Sequence, residues 1–138
     1  DQRGQLRQTQ FFRVRTHKDP ILNTLFDKEW TLTTMHENDE IIIPQKNRVY
    51  TIQFSSDMSI AGQNDCNRYV GGYSMKNGNE LNIGRGIAST KILCQPGSLD
   101  SAFFQALGTA KGFEITGERL TIYYGAELQH RLEFHLRQ

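Results

Sequence analysis

Two cysteines have the widest chemical range of any residues in this chain, because a thiolate can attack an electrophile, bind a soft metal or form a disulfide. Cys66 lies in the stretch GQNDCNRYVGGY, Cys94 follows later, and the 138 residues contain no other cysteine. In a reducing compartment the pair would remain two thiols, whereas such an isolated pair in an oxidising compartment is expected to form a bridge. Catalysis by Cys66 would need a neighbouring base, which sequence spacing alone does not place.

The other reactive side chains show no spacing typical of a catalytic or metal site. The four histidines are scattered, and His130 falls on the apolar face of a predicted strand, where a hydrogen-bonded core histidine is the expected role. No CxxC or HxxxH spacing is present, so zinc is not indicated. The glycines near Cys66 lack the GxxxxGK pattern of a phosphate-binding loop and are typical of bends or bulges in a curved strand pair. We therefore predict no catalytic residue, no metal and no cofactor, and expect that the protein is not an enzyme.

Charge divides the chain into a basic leader and a slightly acidic remainder. Residues 1–18 carry five cationic side chains against Asp1, a net charge of +4, and the other residues carry −3. Such a leader could contact phosphate or an anionic surface, but a solvated tether is the preferred interpretation. The alternation in FFRVR could also add an edge strand. We predict a basic extension, residues 1–25, and one domain, residues 26–138, and expect no nucleic-acid partner because no platform of aromatic and cationic side chains is present.

Short runs of alternating apolar residues between turn residues predict an antiparallel β protein. Trp30 begins one such run, and YTIQF, residues 50–54, places three apolar side chains on one face of a second strand. FEITGERLTIYYG predicts a hairpin that turns at Gly117. The alternation over residues 128–136 predicts a last strand that is half-buried along its whole length.

One segment, SLDSAFFQALG, breaks the β pattern. Leu99, Phe103 and Leu107 recur at four-residue spacing, which predicts a short helix. Ser98 is the expected N-cap and Gly108 the expected stop. We therefore predict a mainly β fold of the α+β class, in which a curled antiparallel sheet or small barrel has one short helix packed on it.

These motifs, in their order, resemble the META domain family, which includes the HslJ-like heat-shock lipoproteins of Gram-negative bacteria. The resemblance covers about residues 27–137 and rests on Trp30, on IAGQNDCNRYVGGYSMKNGNELNIG, on ASTKILC, on AFFQAL and on FEITGERLTIY. Asp65 and Ile92 depart from it, since the family usually has Gly and Met there. The resemblance marks a set of signature positions whose expected role is structural: Gly62, Cys66, Asn67, Arg68, Tyr69, Gly71, Tyr73, Thr90 and Cys94.

The resemblance also implies a location and a range of functions. Family members are similar in fold to small lipocalin-like β-barrels, are often exported, and are often anchored as lipoproteins in the periplasm or at the outer membrane. Some are linked to stress, antibiotic tolerance or secretion, and the family offers no established catalytic residues. In an oxidising compartment of this kind, Cys66 and Cys94 are expected to form a disulfide.

Two functions follow as expectations. The first is a monomeric, non-catalytic interaction or stabilising module of the cell envelope, which binds a protein partner through an exposed apolar patch that includes residues 41–44. The alternative is a small barrel that binds an apolar ligand such as a lipid or acyl chain. The side chains expected to line its cavity are Phe54, Phe103, Leu120, Ile122 and Phe134.

Overall fold

Eleven strands and a nine-residue helix make up most of the regular structure in the computed structural model, which describes residues 24–83 and 86–137. The strands are β1 (Glu29–Glu37), β2 (Glu40–Ile42), β3 (Thr51–Phe54), β4 (Ser59–Gln63), β5 (Arg68–Gly72), β6 (Ser74–Lys76), β7 (Glu80–Asn82), β8 (Ala88–Ser89), β9 (Ala110–Thr116), β10 (Arg119–Tyr124) and β11 (His130–Leu136), and the helix α1 is Asp100–Gly108. Within these residues no helix is both long enough and apolar enough to cross a membrane.

The strands form one sheet in the order β6-β7-β9-β10-β11-β1-β3-β4-β5-β8, with β2 beside β1, and every pair is antiparallel. β5 and β6 lie near opposite ends of this order, although only Tyr73 separates them along the chain. The sheet must therefore curl until its ends approach each other. This confirms the predicted curled antiparallel sheet, which forms a half-barrel around one short helix.

The core lies on the concave face of the sheet, where alternate residues of the long strands point inward. Trp30 is fully buried, and its indole Nε1 donates a hydrogen bond to the carbonyl of Leu25 at 3.1 Å. Leu25 is also fully buried, so the chain already packs against the core at the predicted boundary between extension and domain. The edge strand predicted for FFRVR lies outside the described residues.

Helix α1 packs its apolar stripe into the curl of the sheet, as its spacing predicts. Phe103 and Leu107 are fully buried. The ring of Phe103 lies 5.6 Å from that of Tyr50, 6.1 Å from that of Tyr69 and 6.4 Å from that of Phe134, measured between centroids. One helical side chain thus joins strands from both halves of the sheet.

The start of α1 differs by one residue from the prediction. Leu99, not Ser98, occupies the N-cap position, and no side chain of that residue caps the helix. Ser98 acts from one residue earlier, because its Oγ accepts the amide N–H of Asp100 at 3.0 Å. Gly108 is the last helical residue, as expected.

The last strand is shorter than predicted, since β11 begins at His130 and Leu128 lies in the preceding turn. Leu128 has a φ of 59°, is 49% exposed, and donates its amide to the carbonyl of Gly125 at 3.2 Å. A residue in this left-handed region cannot continue an extended strand. The predicted alternation holds only from His130 onward.

Candidate functional site

The two cysteines form a disulfide that joins the loop before β5 to the segment before α1. Cys66 and Cys94 have Cα atoms 5.6 Å apart, and no free cysteine occurs in the chain. Because each sulfur is bonded to the other, neither is a thiolate nucleophile in this structure. One carboxylate oxygen of Asp65 and the two sulfurs lie within 4.8 Å of one another, but the bonded sulfurs leave a metal ion only one carboxylate ligand.

A buried asparagine builds the tight turn that carries Cys66. Asn64 Oδ1 accepts the amide N–H of Cys66 at 3.0 Å and that of Asn67 at 2.8 Å, and its Nδ2 donates to the carboxylate of Asp100. Side-chain acceptance of two successive amides is the mechanism of an Asx turn. Sequence analysis missed the role of Asn64, although an asparagine two residues before a cysteine at a predicted bend was a usable signal.

Asp65 occupies the place where the family usually has glycine, and the turn accommodates it. Asp65 accepts the Ser98 hydroxyl at 2.8 Å and lies 3.5 Å from the Arg48 guanidinium. Its side chain is 6% exposed, so this ion pair is largely shielded from solvent. The departure from the family pattern therefore adds a link between the turn and the residues that precede α1.

Asn67 holds the chain on the far side of the disulfide. Its Oδ1 accepts the amide N–H of Ile92 at 2.7 Å, and its Nδ2 donates to the Ile92 carbonyl at 3.2 Å. Nδ2 also lies 3.2 Å from the carboxylate of Asp100 at the start of α1. This buried side chain therefore connects β5, the segment before α1 and the helix itself.

Thr90 continues the same arrangement by one residue. Its Oγ1 donates to Asn67 Oδ1 at 2.8 Å and accepts the amide N–H of Arg68 at 3.0 Å, and its own amide donates to the Arg68 carbonyl at 3.0 Å. Residues 88–94 are thus held along β5 by strand pairing, then by Thr90 and Asn67, and finally by the disulfide. We call this stretch the clamped segment.

Gly62 and Tyr69 show why a glycine precedes the cysteine turn. The two residues are cross-strand partners, and the Tyr69 hydroxyl donates to the Thr51 carbonyl at 2.7 Å beneath the sheet. A Cβ on Gly62 would lie 2.3 Å from the Thr51 oxygen and 2.7 Å from the Tyr69 hydroxyl. The pairing of β4 with β5 has no register shift, so the predicted bulge at Gly62 is wrong, and close packing is the reason for the glycine.

Gly71 and Tyr73 lie where the chain passes from β5 to β6, and both pack closely against neighbouring residues. A Cβ on Gly71 would approach the side chain of Ile87 to 3.3 Å. Tyr73 donates its hydroxyl to the Ser55 carbonyl at 2.6 Å, and burial, reinforced by two nearby aspartates, raises the pKa of Tyr73 to about 12. Both residues therefore act in packing.

With this geometry in place, the family can be assigned. A model of the META domain matches residues 23–138. The chain belongs to the META domain family. Among solved structures, an NMR structure of a protein from Burkholderia xenovorans is 21% identical with a TM-score of 0.67, over 94% of this chain and 98% of that one. A DUF4847 family protein from Bacteroides vulgatus is 14% identical with a TM-score of 0.58, over 80% of this chain and 93% of that one. These likenesses concern the fold. Among curated proteins, none matches this chain in sequence.

The side chains expected to line a ligand cavity lie in the packed core of this META domain. All five are at most 1% exposed and belong to one hydrophobic cluster: Phe54, Phe103, Leu120, Ile122 and Phe134. A groove of about 700 Å³ lies elsewhere, between the β6–β7 hairpin, Met58 and Lys111, and none of the five lines it. Contacts within the core account for these residues without a ligand.

Two stretches of the META domain surface each expose two large apolar side chains that are close in sequence. Ile41 and Ile43 are 65% and 70% exposed, within the stretch expected to form a patch. Ile92 and Leu93, in the clamped segment, are 61% and 93% exposed. Sequence analysis missed this second exposure, because the neighbouring cysteine and lysine residues are compatible with either a buried or an exposed strand.

Proposed function

We propose that this META domain is a non-catalytic interaction or stabilising module that works outside the cytoplasm. The main support is that four signature residues hold the clamped segment in place: Cys66, Asn67, Thr90 and Cys94. The segment that they hold exposes apolar side chains to solvent. Exposed apolar side chains on a segment of fixed conformation are typical of a binding surface.

The hydrogen bonding of the signature cluster supports a role without catalysis. A catalytic site needs a nucleophile or base that is free to meet a substrate in an accessible cleft. Here Cys66 is bonded to Cys94, both ends of the Asn67 amide contact protein groups, and the Thr90 hydroxyl both donates and accepts within the fold. The reactive and polar groups of these residues are therefore occupied by bonds within the fold.

The disulfide supports a location in an oxidising compartment, because cytosolic thiols are usually kept reduced. The resemblance to exported family members points the same way, and we propose a periplasmic or outer-membrane-anchored protein with a role in stress, secretion or antibiotic tolerance. We further propose that the domain acts as a monomer and that its ligand is a protein of the envelope.

Photo-crosslinking at single sites tests the proposed function. A photoreactive amino acid replaces Ile41, Ile43 or Leu93 in turn, and Gln53, an exposed polar residue of β3, serves as the matched control. We expect a discrete crosslinked protein in intact cells from at least one apolar position and none from Gln53. Silence at all three apolar positions would overturn the proposal.

A further inference from the structure

We infer that the open edge of β8 and the residues that follow it bind an extended acidic and apolar segment of a partner protein as an added strand. The inference rests on the proposed function and names the surface and the chemistry of the partner. β8 is the last strand in the hydrogen-bonded order, and no described strand pairs with its outer side.

The pairing of β8 determines which backbone groups face outward. The Thr90 amide donates to the Arg68 carbonyl, and Ser89 is opposite Tyr69. In an antiparallel pair, successive residues alternate between bonding the neighbour and facing away from it. The amide and carbonyl of Ser89 therefore point away from β5, and neither group bonds to a described residue. Unpaired strand groups of this kind are a template for another strand.

The edge is also held in its binding conformation before a partner arrives. Asn67 fixes the backbone of Ile92, and the disulfide fixes Cys94. A binding segment that is already ordered loses less conformational entropy on association. The clamp formed by the signature residues thus has a consequence for binding as well as for stability.

Side chains beside the edge define the apolar part of the surface. Ile92 and Leu93 are exposed within the clamped segment, and Val70 is exposed on the outer face of β5, directly opposite Ala88. Successive residues of an extended segment point to opposite faces, so Ile92 shares the face of Ala88 and Val70 and Leu93 lies on the other face. A strand added next to β8 would bring its own alternate side chains into contact with Ile92 and Val70. The partner segment should therefore carry apolar residues at every second position.

Positive charge beside the edge indicates which residues the partner should carry at the positions between its apolar ones. Arg68 and Lys91 are exposed, neither forms an ion pair with a described residue, and the Lys91 ammonium contacts only the Ser89 hydroxyl, at 3.3 Å. The acid of the cysteine turn, Asp65, has a side chain that is only 6% exposed and is already paired with Arg48. A second copy would bring the same positive charge to this edge, whereas an acidic segment would complement it, so the charge favours an acidic partner.

A synthetic peptide tests the inference on the intact, oxidised chain. The probe is an end-blocked hexapeptide of alternating glutamate and valine, and its affinity is measured by calorimetry. Ser89→Pro removes the outward N–H but no backbone bond to β5, and proline is tolerated on the open side of an edge strand. Ser89→Ala is the matched control, because both variants lose the hydroxyl that Lys91 contacts and only Ser89→Pro also loses the N–H. We expect the wild type and Ser89→Ala to bind alike and Ser89→Pro to bind about tenfold more weakly, the effect of one lost hydrogen bond.

Three further measurements test the inference without Ser89→Pro, in case that variant folds poorly. N-methylation of alternate peptide amides should abolish binding to the wild type, and a lysine–valine peptide should bind at least about tenfold more weakly than the glutamate–valine peptide. Amide exchange at Ser89 should slow when the probe is bound.

Several outcomes would overturn the inference. These are equal affinity for Ser89→Pro and Ser89→Ala when both are folded, equal affinity for the lysine–valine peptide, and no binding at about 1 mM probe, the weak end of measurable affinity. A dimer in sedimentation that Ser89→Pro dissociates would identify a second copy as the occupant instead. Crosslinks at Ile41 or Ile43 with none at Leu93 would contradict binding at the β8 edge and leave the proposed function standing. The absence of crosslinks at all three positions would overturn both the inference and the proposed function.

Discussion

The side-chain amide of Asn67 brackets the peptide groups of Ile92: it accepts the amide N–H at 2.7 Å and donates to the carbonyl at 3.2 Å. A strand residue would make the same two bonds with its backbone. The side chain thus extends the pairing of β5 beyond the two residues of β8. The contacts of Asn67 and the disulfide thus hold the segment from the β5 side, and no described strand pairs with its outer side.

Replacement of Asn67 by alanine should destabilise the fold by about 3 kcal/mol, because several buried hydrogen-bonding groups lose their partner at once. Urea unfolding measures the change. Gln53→Ala, at an exposed position of β3, is the control and should shift the unfolding free energy by less than about 0.5 kcal/mol. Equal effects of the two substitutions would show that the hydrogen bonds between Asn67 and Ile92 contribute little to stability.

Two glycine substitutions should have opposite signs. Gly62→Ala should destabilise by about 3 kcal/mol, since the added methyl group would meet the Thr51 oxygen at 2.3 Å. Gly108→Ala, where a Cβ meets nothing within 4 Å at the end of α1, should stabilise by about 0.5 kcal/mol. Thermal unfolding of the pair measures both. A neutral Gly62→Ala would contradict the close approach of Tyr69.

Reduction of the disulfide should lower the free energy of unfolding by about 3.5 kcal/mol, the chain-entropy value for a loop of this length. The Cys66→Ala, Cys94→Ala double variant provides the same comparison without reductant. Hydrogen exchange should show that the amides of Thr90 and Ile92 lose more protection than those of β10 and β11. Uniform loss throughout the sheet would mean that the bridge does not act locally on the clamped segment.

Stability should fall in alkaline solution between about pH 10 and 12. Burial raises the pKa of Tyr73 to about 12 and raises the pKa of Tyr69 further, so the unfolded chain ionises these hydroxyls before the folded one does. Their contribution is complete below pH 10, the ordinary tyrosine value, and is lost as the pH rises through the folded pKa. Urea unfolding from pH 9 to 12 should show this slope, and Tyr73→Phe should reduce it. A flat profile would contradict the burial of these hydroxyls.

The sequence was sufficient for the parts of the fold that depend on local periodicity. The hairpin around Gly117 and the helical stripe of Phe103 and Leu107 are confirmed, because in each element the apolar positions recur at the period of the secondary structure and face the core. Leu128 was misplaced because its alternation continues that of β11, whereas its backbone conformation belongs to a turn. Apolar alternation does not report the sign of φ.

The candidate site was predictable only as a set of residues. Cys66, Asn67, Thr90 and Cys94 were identified by resemblance, but their geometry depends on contacts between segments more than 20 residues apart. No local pattern shows that one amide will replace a stretch of backbone pairing. The exposure of Leu93 follows from that geometry, so it could not be predicted from the local sequence either.

Whether Cys66 and Cys94 hold the clamped segment in the cell is decided by the thiol state of the protein, isolated without reductant. Intact mass is measured under denaturing conditions with and without a thiol-alkylating reagent. We predict no added label and a mass two hydrogens below that of the reduced chain, which would establish the Cys66–Cys94 bridge and exclude Cys66 as a nucleophile. Two added labels would contradict the account, because free thiols would remove the anchor of the clamped segment and the argument for an oxidising compartment.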